Sequence, residues 1–313
     1  MKGMIIMKGF YPEGFLQLDG SSKGYTATSL LEASAKGTIL EAMAYMCDSD
    51  HNLLVSLGSM KGIIPRDEGA IGIKEGLTKD IALISRVGKS VCFIVEDIKT
   101  DQSGKKYALL SRRKPQELYL NELKTNCRIG DIIDAKITHL ESFGAFCDIG
   151  CGIIALLPID SISISRISHP RDRFTVGENI KVIIKNIGED GKITLSHKEL
   201  LGTWEENAKY FLQGETVSGI VRSIESYGIF IELAPNLAGL AELKPNVHIG
   251  QTASVYIKSV IPEKMKIKLI IIDSFDSDYT LDKKYFYLED HIDSFSYSPE
   301  VANKKIDSYF NNG

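Results

Sequence analysis

The chain has 313 residues, of which 43% are hydrophobic and 25% charged, with a formal net charge of −4 at pH 7. That length suggests two to four domains, and the apolar content supports packed cores and excludes wholesale disorder. No stretch approaches the roughly 20 apolar residues of a membrane span, and the net acidity gives no support of its own to a nucleic-acid partner.

The opening, Met1-Lys2-Gly3-Met4-Ile5-Ile6-Met7, is too short and too soon interrupted for a secretory signal and reads as an early strand. Thr26 to Lys36 reads as a short helix. Four segments then form a weak copy of a pattern that returns later: Leu53 to Gly58, Gly62 to Pro65, Val87 to Val91 and Ala108 to Arg113. Lys61 to Lys114 carries 12 Lys/Arg against 7 Asp/Glu, so a local basic face is compatible with the acidic total. Pro115 to Leu123 reads as a helical linker.

The next two stretches repeat one another. Gly130 to Ile149 aligns with Gly214 to Leu233 without a gap, and both contain Glu-Ser-aromatic-Gly-x-Phe. An apolar run follows each, Ala155 to Pro158 and Gly239 to Leu243. Then come Gly-led strands at Gly177 and Gly250, and closing strands at Lys192 to Ser196 and Lys266 to Leu269. Internal repetition sets the architecture before any single residue is read. Each copy gives about five short strands, and closing them into a barrel removes exposed edges. Between these copies, Lys198 to Leu212 reads as a second helical linker. Trp204, Ala208 and Phe211 share one of its faces, which is expected to pack on a barrel.

The expected fold is mainly β: three tandem five-stranded barrels joined by short helices, the first degenerate. The segments are an N-terminal part with a short helix (1–34), the degenerate barrel (35–114), a linker (115–127), a barrel (128–201), a linker (202–212), a barrel (213–273) and an acidic tail (274–313). The tail has 4 Lys/Arg against 8 Asp/Glu, yet holds Tyr279, Tyr285, Phe286, Tyr287, Phe295 and Tyr297. Those rings argue against disorder throughout and leave open a docked segment or a partner-binding element.

Five scattered cysteines (Cys47, Cys92, Cys127, Cys147, Cys151) argue for a reducing compartment, hence the cytoplasm, and against a disulfide framework. The Cys147/Cys151 pair has only His169 as a further candidate ligand nearby, so no metal is expected. Nucleophile elbows, phosphate loops, H-E-x-x-H and paired Cys-x2-Cys motifs are all missing, and the six histidines are spread across the repeats. The chain therefore reads as a binding protein with neither a catalytic centre nor a cofactor.

Strand alternation turns Ala145, Cys147 and Ile149 inward with Ile229, Ile231 and Leu233, and turns Phe146 and Phe230 outward beside Asp148 and Glu232. Phe143 and Tyr227 stand three positions earlier. Paired outward rings offer a platform on which unpaired bases stack. Lys136, Lys192, Arg222, Lys266 and Lys268 fall in the same outward phase, where they could meet phosphates, and His139 lies a strand-step from the rings.

Gly-Asp followed by a strand, then Ser-Phe-Gly-Ala-Phe, Ala-Leu-Leu-Pro-Ile, Val-Gly-Glu and Ile-Thr-Leu-Ser, resembles the S-one RNA-binding domain. That domain is the repeat of the largest bacterial small-subunit ribosomal protein and is also found in exoribonucleases and initiation factors. The resemblance is strong over Cys127 to Leu201, good over Gln213 to Asp273 and faint over Ala35 to Arg113. It implies that the three tandem barrels are oligonucleotide-binding (OB-fold) barrels of the S-one type, with single-stranded RNA, mRNA or rRNA, as ligand, and the ribosome as a candidate partner. It assigns RNA contacts to Phe143, Phe146 and Lys192 in the middle barrel and to Tyr227, Phe230 and Lys266 in the last. The first barrel departs from the pattern, with His51 and Leu54 at the two ring positions. Two rival readings stay open: barrels that dock on protein, and a single-stranded DNA ligand, since stacking does not sense the 2′-hydroxyl.

Overall fold

A computed structural model describes residues 9–15, 24–188 and 191–310. The strand expected at Met1 to Met7 lies outside the described residues. The described part contains three closed five-stranded barrels, as the repeats predict. The chain divides into two compact units, one of residues 1–128, 134–136 and 147–154, the other of the remaining residues to 313.

Helix α1 (Ala27–Lys36) precedes the first barrel, and its N-cap Thr26 accepts a hydrogen bond from the Ser29 amide. The barrel strands are β1 (Leu40–Cys47), β2 (Leu53–Ser56), β3 (Lys61–Ile64), β4 (Lys89–Thr100) and β5 (Lys106–Ser111), with the short helix α2 (Ile81–Ile84) before β4. They close in the order β1-β2-β3-β5-β4, with β3 and β5 parallel. Leu53, Val55, Ile64, Val91, Phe93 and Leu110 fill the interior. Helix α3 (Arg113–Asn126) follows, longer at both ends than the Pro115 to Leu123 stretch read as helical.

The middle barrel comprises β6 (Ile132–Glu141), β7 (Gly144–Asp148), β8 (Ile154–Pro158), β9 (Asn179–Ile187) and β10 (Ile193–Ser196). The expected inward residues Ala145, Cys147 and Ile149 are all buried. The second linker is not one helix. A 3-10 turn at Lys198–Leu201 stops at Gly202, whose φ is +83°, and α4 (Trp204–Ala208) starts afresh under a Thr203 cap. Trp204 and Ala208 pack into the core of the last barrel, as their shared face predicts.

The last barrel has β11 (Thr216–Glu225), β12 (Gly228–Ala234), β13 (Leu237–Ala241), β14 (Thr252–Ile261) and β15 (Lys266–Phe275). Ile229, Ile231 and Leu233 face its core. The glycine of the repeated motif has a steric reason. A Cβ at Gly144 would stand 2.5 Å from the Leu157 carbonyl oxygen, and one at Gly228 would stand 2.5 Å from that of Ala241.

The acidic tail is a docked segment. It carries a two-stranded ribbon, β16 (Ser294–Ser296) and β17 (Asp307–Tyr309). Tyr285, Tyr287, Ile292 and Phe310 pack with Ile132, Ile183 and Leu200 of the middle barrel region. Tyr297 enters the core of the last barrel and donates its hydroxyl to the Asn236 carbonyl. His197 is fully buried. Its Nδ1 lies 3.0 Å from the Ile162 carbonyl and its Nε2 3.3 Å from the Tyr285 hydroxyl, and burial pushes its pKa down to about 4. The ring is therefore neutral at pH 7. Among the described residues no helix is long and apolar enough to cross a membrane, and no cluster of His, Cys, Asp or Glu could hold a metal.

Within the first unit, the segment before α1 inserts a carboxylate. Glu13 is buried, and its two oxygens accept from Arg112 Nε (2.6 Å) and Nη2 (2.8 Å). Burial would raise its pKa, but the Arg112 charge and hydrogen bonds outweigh that and hold it low. Asp148, expected to face solvent, is buried instead and accepts the Glu13 amide at 2.8 Å. Burial, reinforced by the Glu13 charge, raises Asp148 to about 7. An unfolded Asp titrates near 3.9, so the folded state keeps a proton between roughly pH 4 and 7 that the unfolded chain has released. This contribution is complete at the acid end of that window and is lost as pH rises through about 7. Asp148→Asn is expected to flatten that part of the stability–pH curve relative to the parent, as measured by thermal melts. An unchanged slope would contradict the assignment.

Candidate nucleic-acid interface

In the middle barrel the sharp turn into β7 carries Phe143, which is 54% exposed. Phe146, half-buried, follows on β7. Their ring centroids are 6.0 Å apart with planes at 88°. His139 on β6 lies near-parallel to Phe146, 6.4 Å between centroids, and its Nε2 is 2.6 Å from Glu141 Oε1. The last barrel repeats the pair: Tyr227 is 67% exposed, and its ring meets that of Phe230 at 6.1 Å and 90°. Edge-to-face packing holds each half-buried ring upright and leaves the other available above it. The same turn and the same glycine build both pairs.

Strand register extends the platform. Phe230 pairs with Leu240, and Leu240 with Lys268, in one outward row across β12, β13 and β15. At about 4.8 Å per strand, the lysine row lies roughly 10 Å from the ring. Lys266 and Lys268 are both exposed on β15. In the middle barrel Leu156 pairs with Thr194, so Thr194 holds the place of Lys268, and the exposed Lys192 holds that of Lys266. The flat apolar strip between ring and ammonium suits a base with its phosphate at the edge. The leucines Leu156 and Leu240 are part of this strip, and the sequence reading missed them because an apolar residue in a strand reads as core.

Two expected contacts are corrected. The Lys136 ammonium donates to the carbonyls of Glu13 (3.3 Å) and Gly14 (3.0 Å), so it holds the N-terminal segment. Arg222 bonds Glu232 through Nε at 2.6 Å and Asp172 through Nη1 at 3.3 Å. Glu232, expected outside beside Phe230, is fully buried and also takes both terminal nitrogens of the buried Arg173. Glu232, Arg173, Arg222 and Asp172 form an internal cluster, so Arg222, like Lys136, is engaged within the protein and neither is carried into the RNA contacts proposed below.

The first barrel has no ring pair in this place. Its equivalent row is Leu54–Ile63–Leu109, aliphatic throughout. Tyr107 lies at the position of Lys192 and Lys266, with the Lys61 ammonium 5.8 Å from its ring centre.

Closed five-stranded barrels of this strand order, each joined by a parallel pair, make the chain a tandem OB-fold protein. Residues 127–198, nearly the whole middle barrel, match the family model of the S1 RNA binding domain. The match covers the middle barrel, and the other two barrels repeat its strand order. It is similar to the small ribosomal subunit protein bS1 homolog of Bacillus subtilis (strain 168), with 31% identity over 195 residues, 59% of this chain and 48% of that one. It is also similar to the small ribosomal subunit protein bS1 of Staphylococcus aureus (strain COL), with 28% identity over 229 residues, 71% and 55% of the two chains. The chain spans about half the length of these curated relatives. Among solved structures it is similar to a multidomain protein with nucleic acid binding domains from Streptococcus pneumoniae TIGR4. That match has 13% identity, covers 77% of this chain and 75% of the other, and has a TM-score of 0.25.

Proposed function

We propose that this chain binds single-stranded RNA on the ring platforms of its middle and last barrels, as a cytoplasmic, non-catalytic protein serving translation or RNA metabolism. The observation that carries the reading is the duplicated ring pair: Phe143 with Phe146 and Tyr227 with Phe230, alike in distance and angle and each with an exposed outer ring. The bS1 names of its relatives support a ribosomal-protein-like role. Phosphates are met by Lys192, Lys266 and Lys268, and His139 adds an edge beside Phe146. Two platforms on one chain gain avidity when one strand spans both.

Fluorescence anisotropy with labelled single-stranded RNA tests this. Affinity is expected to fall as salt rises, since lysine–phosphate contacts release counterions. Tight binding that ignores salt, or no binding at low salt, would contradict it. Competition with matched single-stranded DNA tells whether the 2′-hydroxyl matters. The aliphatic row of the first barrel favours a different role for that barrel, a protein-docking or structural one, and its removal is expected to leave RNA affinity unchanged.

A further inference from the structure

We infer that a cleft between α4 and the docked C-terminal segment is a nucleotide-binding site distinct from the ring platforms. The cleft encloses about 320 Å³, within the size range of small-ligand sites. Tyr210, Tyr279, Phe286 and Leu233 line it. Tyr210 is 52% exposed and Tyr279 42%, so the aromatic walls are open to a ligand.

Two ammonium groups stand over these rings. Lys284 Nζ is 4.7 Å from the Tyr210 centroid, 5.1 Å from that of Phe286 and 2.7 Å from the Tyr210 hydroxyl. Lys209 Nζ is 5.3 Å and 5.9 Å from the same two rings. Of the four basic residues in the acidic 274–313 segment, one is thus placed at this cleft together with a second lysine from the end of α4. The Lys284 hydrogen bond and the neighbouring positive charge hold the Tyr210 hydroxyl below the usual phenol range.

The ligand must therefore offer a flat π face and a negative charge together. A nucleotide does so: its base lies against tyrosine or phenylalanine, and its phosphate meets the lysines. A carboxylate peptide brings charge without the face. Among the described residues lining the cleft Asp282 is the one acid, and a carboxylate accepts from the exocyclic amine of adenine, cytosine or guanine, which uracil lacks. The ligand class is accordingly an amino-bearing nucleotide, free or as one unit of an RNA strand.

Isothermal titration calorimetry of the full chain with AMP tests the site, with UMP as comparison. AMP is expected to bind at least about tenfold more tightly than UMP, and Tyr210→Ala with Lys284→Ala is expected to weaken AMP by at least about tenfold. Tyr210→Phe keeps the ring and is expected to keep binding. Phe146→Ala with Phe230→Ala is expected to leave AMP binding intact, so failure of the platform reading and failure of this one are separable. On that platform variant, competition between AMP and a short RNA assigns the occupant to a strand, and its absence assigns a free mononucleotide. No AMP binding by the parent, or a Tyr210/Lys284 variant that melts earlier yet binds AMP like the parent, would overturn the site and leave these residues as a clasp for the C-terminal segment.

Discussion

Replacing Phe146 and Phe230 together by alanine is expected to lower single-stranded RNA affinity more than any other pair of changes on the barrel surfaces. Stacking on an aromatic side chain is worth about 1–3 kcal/mol per base, so each ring accounts for roughly a 5- to 150-fold change. The two effects compound if one strand occupies both barrels, because loss of one platform also removes its share of the avidity. Both rings are half-buried against an exposed neighbour rather than set in a core, so the barrels are expected to stay folded. Lys136→Ala serves as the contrast. Its ammonium is bonded to the Glu13 and Gly14 carbonyls, and its loss is expected to leave RNA affinity unchanged. Anisotropy titrations of parent, single and double variants at one salt concentration check this. Equal affinities across the series would remove the rings from the interface.

Glu232→Ala is expected to cost the most stability. The carboxylate is fully buried and neutralises Arg173, itself 2% exposed, and Arg222, 13% exposed. Removing it leaves the buried Arg173 without its carboxylate partner and beside Arg222, which keeps only Asp172 at 3.3 Å. Breaking a buried pair by deleting one partner costs about 3–5 kcal/mol. Glu242, on the exposed side beyond β13, is the control, and its alanine variant is expected to stay within about 0.5 kcal/mol of the parent. Urea denaturation of both variants measures the difference. A Glu232 variant as stable as the Glu242 one would mean the cluster carries little energy.

The barrels were legible because their signal is periodic and duplicated. Inward triplets such as Ile229, Ile231 and Leu233 declare a core face by alternation alone, and the motif glycine marks each turn. The ring pairs could be read for the same reason, since a fixed spacing repeated in two copies fixes both phase and place. Charges were the harder part. Asp148 and Glu232 fall in the outward phase, yet both are buried by segments far away in sequence, Glu13 in one case and Arg173 in the other. Alternation tells which side of its own strand a residue faces, not what lies over that side. Lys136 and Arg222 were misjudged through the same gap. The acid that follows Phe by two positions in both repeats was the available clue, because a repeated charge invites a partner as readily as solvent. His197 and the Tyr210–Lys284 cleft depend on where the last forty residues dock, and no local pattern encodes that.

The most direct test is photo-crosslinking of 4-thiouridine-containing single-stranded RNA to the full chain, with the crosslinked residues mapped by mass spectrometry. The account predicts adducts concentrated at Phe143, Phe146, Tyr227 and Phe230. Adducts confined to the first barrel or to the Lys136 and Arg222 neighbourhoods, with none on those four rings, would contradict it.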